Sequence, residues 1–255
     1  MTSSRADHAR EFGRAAALYA RLRPSYPKTL FDSLDRSLEG PRAHAVDLGA
    51  GAGQATVALA TMFERVTAIE SDARMIAEIP ASPRIDRCVA AAEQASFPPS
   101  SVDAIVAATS FHWMDQDLIV ARAFDWLRPG GAFFPFMYGV FEFEGAARAI
   151  FEREAPHWAA YKDDRLLAKY DPGPAIASSG LFASVAPVSA IGERTYAPDD
   201  AAALLATTSY GAAYAADHGG TESYLRKLAQ DFAAAADEIV IRFPISGVIA
   251  LKARG

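Results

Sequence analysis

The chain has 255 residues, 51% of them apolar, and a formal net charge of −6 at neutral pH. That length suits one α/β domain with an insertion, or a core with a small second lobe. The acidic balance and scattered Lys and Arg exclude a basic nucleic-acid-binding face, and the single cysteine, Cys88, excludes an internal disulfide.

Met1 to Arg10 reads as a frayed end. It holds no apolar core of a secretory signal, and no later apolar run is long enough to span a bilayer. With the lone cysteine, this leads to an expectation of a cytoplasmic protein with no membrane partner. Phe12 to Leu22 carries apolar residues at helical spacing and is stopped by Arg23-Pro24-Ser25-Tyr26-Pro27, since a residue before proline is pushed out of the α region. Thr29 to Leu38 is a second helix, closed by Gly40-Pro41. Ala43 to Leu48 reads as a strand, Gln54 to Phe63 as a helix, Arg65 to Glu70 as a strand and Ser71 to Ile79 as a helix ended by Pro80. Ile85 to Ala91 is an edge-like strand, and Glu93 to Phe97 a helical turn. Val102 to Ala108 is nearly all apolar, as suits a strand buried on both faces. Asp115 to Leu127 is a helix, and Arg128-Pro129-Gly130-Gly131 turns the chain into a fifth strand, Ala132 to Tyr138. This alternation implies βαβ units and a doubly wound parallel sheet.

Past Tyr138 the regularity breaks. Phe141 to Pro172 reads as helical and rich in aromatics, among them Phe143, Trp158 and Tyr170. Ile176 to Gly180 is short, and Phe182 to Ile191 reads as a strand. Pro198 to Tyr214 forms one or two helices with Asp199 or Asp200 near the start, where a carboxylate meets the helix dipole. Glu222 to Asp237 is another helix, and Ile239 to Phe243 and Gly247 to Lys252 are strand material. Pro244 between them fits an edge or a hairpin better than a central strand.

The chain is organised around Ala45-Val46-Asp47-Leu48-Gly49-Ala50-Gly51-Ala52-Gly53-Gln54-Ala55-Thr56. A strand, a turn of alternating glycines and a helix let the backbone lie against a nucleotide-bearing ligand, because glycine accepts φ > 0 and adds no Cβ. The helix's first N–H groups remain free to meet a polar group. Glu70 ends the next strand, where a carboxylate can accept both hydroxyls of a ribose or simply face solvent. Asp47 either satisfies N–H groups of the glycine loop or reaches a ligand's ammonium through water.

These residues resemble the first motif of class I S-adenosylmethionine-dependent methyltransferases. The supporting pieces follow in family order: Glu70, Ala92-Glu93, Asp103, Phe111-His112-Trp113 and Leu127-Arg128-Pro129-Gly130-Gly131. Tyr19-Ala20-Arg21-Leu22-Arg23-Pro24-Ser25-Tyr26-Pro27 and the His112-Trp113 pair are similar to a small-molecule subgroup that includes trans-aconitate methyltransferases. The resemblance implies a Rossmann-like seven-stranded sheet, with an N-terminal helical lid and a helical, aromatic cap after strand five. It gives one domain over 1–255: a lid (1–40), a cofactor-binding half (41–138), a substrate cap with the sixth strand (139–235) and a C-terminal strand (236–255).

The resemblance further implies S-adenosylmethionine as cofactor. It would be held by Tyr19, Arg23, Asp47, Gly49, Ala50, Gly51, Gln54, Glu70, Ser71, Met75, Ala92, Glu93, Thr109 and Ser110. Ala92 and Glu93 sit where the family meets adenine, although Glu93 also reads as a plain helix-start acid. Arg23 can fork onto the methionyl carboxylate or cap its own helix; Tyr19 can line the space near the methyl or pack in the core. His112 has three open roles: a general base, a fixed hydrogen-bonding residue, or a packed ring. Trp113, Tyr138, Tyr196 and Tyr210 are the candidates for an aromatic substrate wall, which also suits a sulfonium. His157 and His218 are not at metal-ligand spacing, so no metal is expected. The implied activity is methyl transfer to oxygen, nitrogen or an activated carbon of a small molecule, with secondary metabolism as one setting, by a monomer or homodimer. A nicotinamide-dependent oxidoreductase shares the turn and acidic strand end but needs G-x-G-x-x-G. A cofactor-binding protein without turnover also stays open.

Overall fold

An apolar run such as Val102–Ala108 is stable only in the middle of a sheet covered on both faces, and that is where it lies. The computed structural model describes residues 16–162 and 171–254. Met1 to Arg10, the first turn of the expected Phe12–Leu22 helix, and Tyr170 fall outside them. In chain order the elements are α1 (Ala16–Leu22), α2 (Lys28–Ser37), β1 (His44–Leu48), α3 (Gln54–Met62), β2 (Arg65–Glu70), α4 (Ala73–Ala77), β3 (Ile85–Val89) and β4 (Val102–Ala108). There follow α5 (Gln116–Trp126), β5 (Leu127–Tyr138), β6 (Glu142–Phe143), α6 (Ala147–Ala159), α7 (Gly173–Ser178), β7 (Ser184–Tyr196), α8 (Pro198–Ala206), α9 (Ser209–Asp217), α10 (Thr221–Ala235) and β8 (Ile239–Leu251). Short 3₁₀ turns occupy Ala92–Gln94 and Phe111–Trp113.

The chain divides into two compact units, one of Ser25–Tyr138, Tyr170–Ala190 and Ile245–Gly255, the other of Met1–Pro24, Gly139–Lys169 and Ile191–Pro244. In the larger unit the strand order is β3-β2-β1-β4-β5-β8, with β7 pairing β8. β1 to β5 run parallel, and β8 runs antiparallel to β5. This is the expected doubly wound α/β architecture. Val46, Leu48, Ile105, Val106 and Phe133 have no exposure, so β1 and β4 are sandwiched between helix layers. α5 buries Ile119, Val120, Ala123 and Trp126, one stripe at helical spacing, and its first turn is capped by the Asp115 carboxylate accepting from the Leu118 N–H at 3.2 Å. Asp103, on β4, accepts the His44 N–H at 2.7 Å and pairs with Arg128, tying β1, β4 and the start of β5 together.

In the other unit β6 pairs with the first half of β8, Glu142 opposite Arg242 and Phe143 opposite Ile241. α8 packs on α10 and α1, burying Leu204, Leu205, Leu228 and Phe232. The Phe143 ring stacks on Phe151 at 4.6 Å and on Phe232 at 5.5 Å.

Several expectations are corrected. Arg128–Gly131 is not a turn before β5 but an irregularity inside it: Val102 pairs with Leu127 and Ala104 with Ala132. Gly130, at φ +75°, accommodates the extra residues. Phe141–Phe143 is not helical, since Glu142 and Phe143 find backbone partners on β8. The helix expected from Ser71 begins at Ala73, because Asp72 stays extended and accepts the Arg74 N–H at 2.8 Å as a cap. Pro244 lies within the continuous strand β8 rather than at an edge or hairpin. It is tolerated where pairing with β5 stops at Ile245 and pairing with β6 starts at Arg242; its carbonyl accepts the Gly139 N–H at 2.7 Å.

Candidate functional site

Gly49, Gly51 and Gly53 all have positive φ, at +68°, +55° and +91°. The turn therefore needs glycine for its backbone alone, and Gly49 also for space: a Cβ there would come within 2.6 Å of Ser110 Cβ. Gly53, left-handed, starts α3. Ala50 N–H donates to the Ile69 carbonyl at 2.9 Å, which docks the turn on β2. Glu70 takes the Gly51 N–H on Oε2 at 2.9 Å, and the Asp72 N–H and Ser71 hydroxyl on Oε1 at 2.9 and 3.1 Å. One carboxylate thus ties the turn after β1 to the turn after β2; Oε1 has both lone pairs engaged, and Oε2 keeps one for a further donor. Met75 is buried with its methyl facing Gly51, and Gln54 is the first residue of α3.

Asp47 has no exposure. Its Oδ2 accepts from the Thr56 hydroxyl at 2.6 Å, and its Oδ1 has no hydrogen-bond partner. The Gly51 N–H goes to Glu70, so Asp47 does not serve the glycine loop in the way one of its expected roles required. Burial pushes its pKa up to about 7; hydrogen bonds from the Thr56 hydroxyl and N–H oppose this and the nearby Glu70 charge adds to it.

β1 and β4 are neighbours, and their carboxyl ends mark the point where the strand order reverses, the place where open α/β sheets bind ligands. Thr109 follows β4 with φ +54°, a costly conformation for a β-branched residue. Its N–H donates to the Phe136 carbonyl at 2.7 Å, and its hydroxyl meets Tyr26 Oη at 3.0 Å. Tyr26 stacks on the buried Tyr138 at 4.8 Å, so Tyr138 is backed by another ring. Ser110 donates to the Leu48 carbonyl at 2.7 Å, joining the two strand ends. His112 is buried, its ring 4.8 Å from that of the half-buried Trp113. Ala92 is buried. Glu93, in the first turn of the Ala92–Gln94 3₁₀ segment, accepts the Asp115 N–H at 2.9 Å, at the start of α5.

Four of the expected site residues belong to the other unit. Arg23 donates to the Thr207 carbonyl at 3.0 Å, and its guanidinium lies 5.0 Å from the Tyr19 ring and 5.6 Å from that of Phe141. Its Nε is buried without a partner. Tyr196 is buried and donates to the Leu22 carbonyl at 2.8 Å; burial pushes its hydroxyl up to about 12. Tyr210 is likewise raised by burial, with Arg23 opposing. The sequence reading missed Thr56, which carried no signal beyond standing nine residues after Asp47. Nor did it give a role to Tyr26, whose hydroxyl meets that of Thr109. Among the described residues no group of His, Cys, Asp and Glu is placed to hold a metal ion, and no helix is long and apolar enough to cross a membrane.

Residues 46–134 match the family described as a methyltransferase domain. A solved protein of Anaeromyxobacter dehalogenans assigned to the type II methyltransferases superposes with a TM-score of 0.74 at 26% identity, over 91% of this chain and 99% of that one. Residues 46–134 carry a methyltransferase-domain signature on a methyltransferase-like fold. Curated relatives of this methyltransferase domain include an uncharacterised methyltransferase of Mycobacterium bovis, 34% identical over 132 residues (51% of this chain, 53% of the relative). A trans-aconitate 2-methyltransferase of Paracidovorax citrulli is 32% identical over 122 residues (45% of this chain, 46% of the relative). The chain spans about half the length of the curated relatives it matches.

Proposed function

We propose that this chain transfers a methyl group from S-adenosylmethionine to a small-molecule acceptor. The observation that carries the reading is the left-handed turn at Gly49, Gly51 and Gly53, joined through Glu70 to the end of β2. The residues at the turn fit the cofactor: Asp47 keeps a buried oxygen without a hydrogen-bond partner beside the turn, as a cationic ligand would want. Glu70 would take a ribose hydroxyl on the spare lone pair of Oε2, and a second in place of the Ser71 hydroxyl, and Ala92 and Glu93 would border the adenine.

The bound cofactor supplies a methyl already activated by its sulfonium. The chain's own part is alignment and the exclusion of water. Ser110 and Thr109 hold the mouth of β4 in one conformation, and Trp113 and Tyr138 offer aromatic surface there. His112 acts as a base only if the acceptor must lose a proton. His112→Ala then lowers turnover by about a hundredfold or more; an acceptor carboxylate would leave it nearly unchanged.

Calorimetric titration with S-adenosylhomocysteine tests the reading. The wild type should bind it and give no heat with a nicotinamide dinucleotide. Glu70→Ala should weaken binding by about tenfold or more, since bonds to a charged acceptor are lost. No uptake by the folded wild type defeats the reading.

A further inference from the structure

Asp47 sits in an odd position for a carboxylate beside a ligand site. It is wholly enclosed, and among the described residues its carboxyl is hydrogen-bonded only by Thr56 on α3, through the hydroxyl at 2.6 Å and, with less effect, the backbone N–H. Its other oxygen has nothing. Its partners across the sheet, Ala68 on β2 and Val106 on β4, are apolar. The charged group that acts on it is Glu70, a second carboxylate, which is held in place by the Gly51 and Asp72 N–H groups. An enclosed anion hydrogen-bonded by a single neutral residue, with a like charge nearby, is unfavourable, so the group holds its proton up to about neutral pH in the free protein. A cation arriving at the glycine turn reverses that balance.

We propose that Asp47 is a proton-exchanging counter-ion: it is neutral in the free protein and gives its proton to solvent when a cationic nucleoside ligand settles on the glycine turn. The exchange balances as one carboxylic O–H broken, one proton released to buffer and one carboxylate left facing the ligand's positive charge. The inference rests on the methyltransferase reading for the identity of the ligand. Its consequence is that cofactor affinity is tuned by pH through a residue that takes no part in the chemistry of transfer.

The test is calorimetry of S-adenosylmethionine binding, without acceptor, in buffers of different ionisation enthalpy, for wild type, Asp47→Asn and Thr56→Val. The ligand's own amine titrates alike in all three and cancels in the comparison. The wild type should release about half a proton more than Asp47→Asn at pH 7 and close to one more at pH 6. Its affinity should fall by about tenfold per pH unit below neutrality, while that of Asp47→Asn stays flat there. Thr56→Val removes the bond that favours the anion, so its affinity loss should set in at higher pH than in the wild type. If Asp47→Asn fails to fold, Thr56→Val carries the test by itself. Binding with equal proton release and equal pH slope in wild type and variants overturns the inference and leaves the methyltransferase reading standing. Absence of binding to the wild type at every pH overturns both.

Discussion

A carboxyl group enclosed as Asp47 is favours the folded state only while it holds its proton. Its ordinary acidity, near 4 in an unfolded chain, is pushed up to about 7 in the fold, chiefly by burial. In the unfolded chain it ionises above about pH 4, while in the folded one it stays protonated to about pH 7. Its contribution is therefore fully present below pH 4, declines as pH rises through that window, and levels off above it. The total is on the order of a few kcal/mol. Asp47→Asn, which cannot ionise, should raise the unfolding midpoint relative to wild type at pH 8 and lose that advantage at pH 5, as read by thermal melts of the ligand-free protein. An equal difference at both pH values would count against the burial argument. At this scale the glycines and Glu70 were legible, because a φ > 0 turn and an acidic strand end are local features. Thr56 and Tyr26 were not, because their hydroxyls matter only through partners 9 and 83 residues away.

The elements were legible where chemistry and period agree. β2 and β4 have the bounds read for them, and α5 fills the stretch read as a helix from Asp115 to Leu127. They were misread where a breaker residue was taken at face value: Pro129-Gly130-Gly131 lies within β5, and Pro244 within β8. In both cases pairing with a neighbouring strand on either side of the breaker outweighed the local preference. The turn itself gives a sharper test. Gly53→Ala places a Cβ at φ +91° and 2.9 Å from Ile79 Cγ1, so it should cost about 2 kcal/mol or more in urea unfolding. Gly145→Ala also has positive φ but meets nothing within 4 Å, and should cost only about 1 kcal/mol. Equal losses would show that the packing of Ile79 on the turn is unimportant.

Across the whole molecule, the larger unit has the deeper core, with β1 and β4 at its centre and β3, mostly exposed, at the edge. Native-state hydrogen exchange should leave the β1 and β4 amides protected longest and release β3 amides earlier; the reverse order would contradict the central placement of β1 and β4. By itself the sequence determined the alternation of strands and helices up to Tyr138, the doubly wound sheet that this implies, and the glycine turn at its ligand-binding edge. Those features follow from side-chain period and backbone sterics, which act over a few residues. Only the tertiary structure decided where the polar groups spend their hydrogen bonds. Glu70 clamps two turns, Tyr196 is committed to the Leu22 carbonyl 174 residues away, and Asp47 is left with an oxygen unfilled. The physical reason is that satisfaction of a buried polar atom depends on what the fold brings beside it, and no local pattern encodes that.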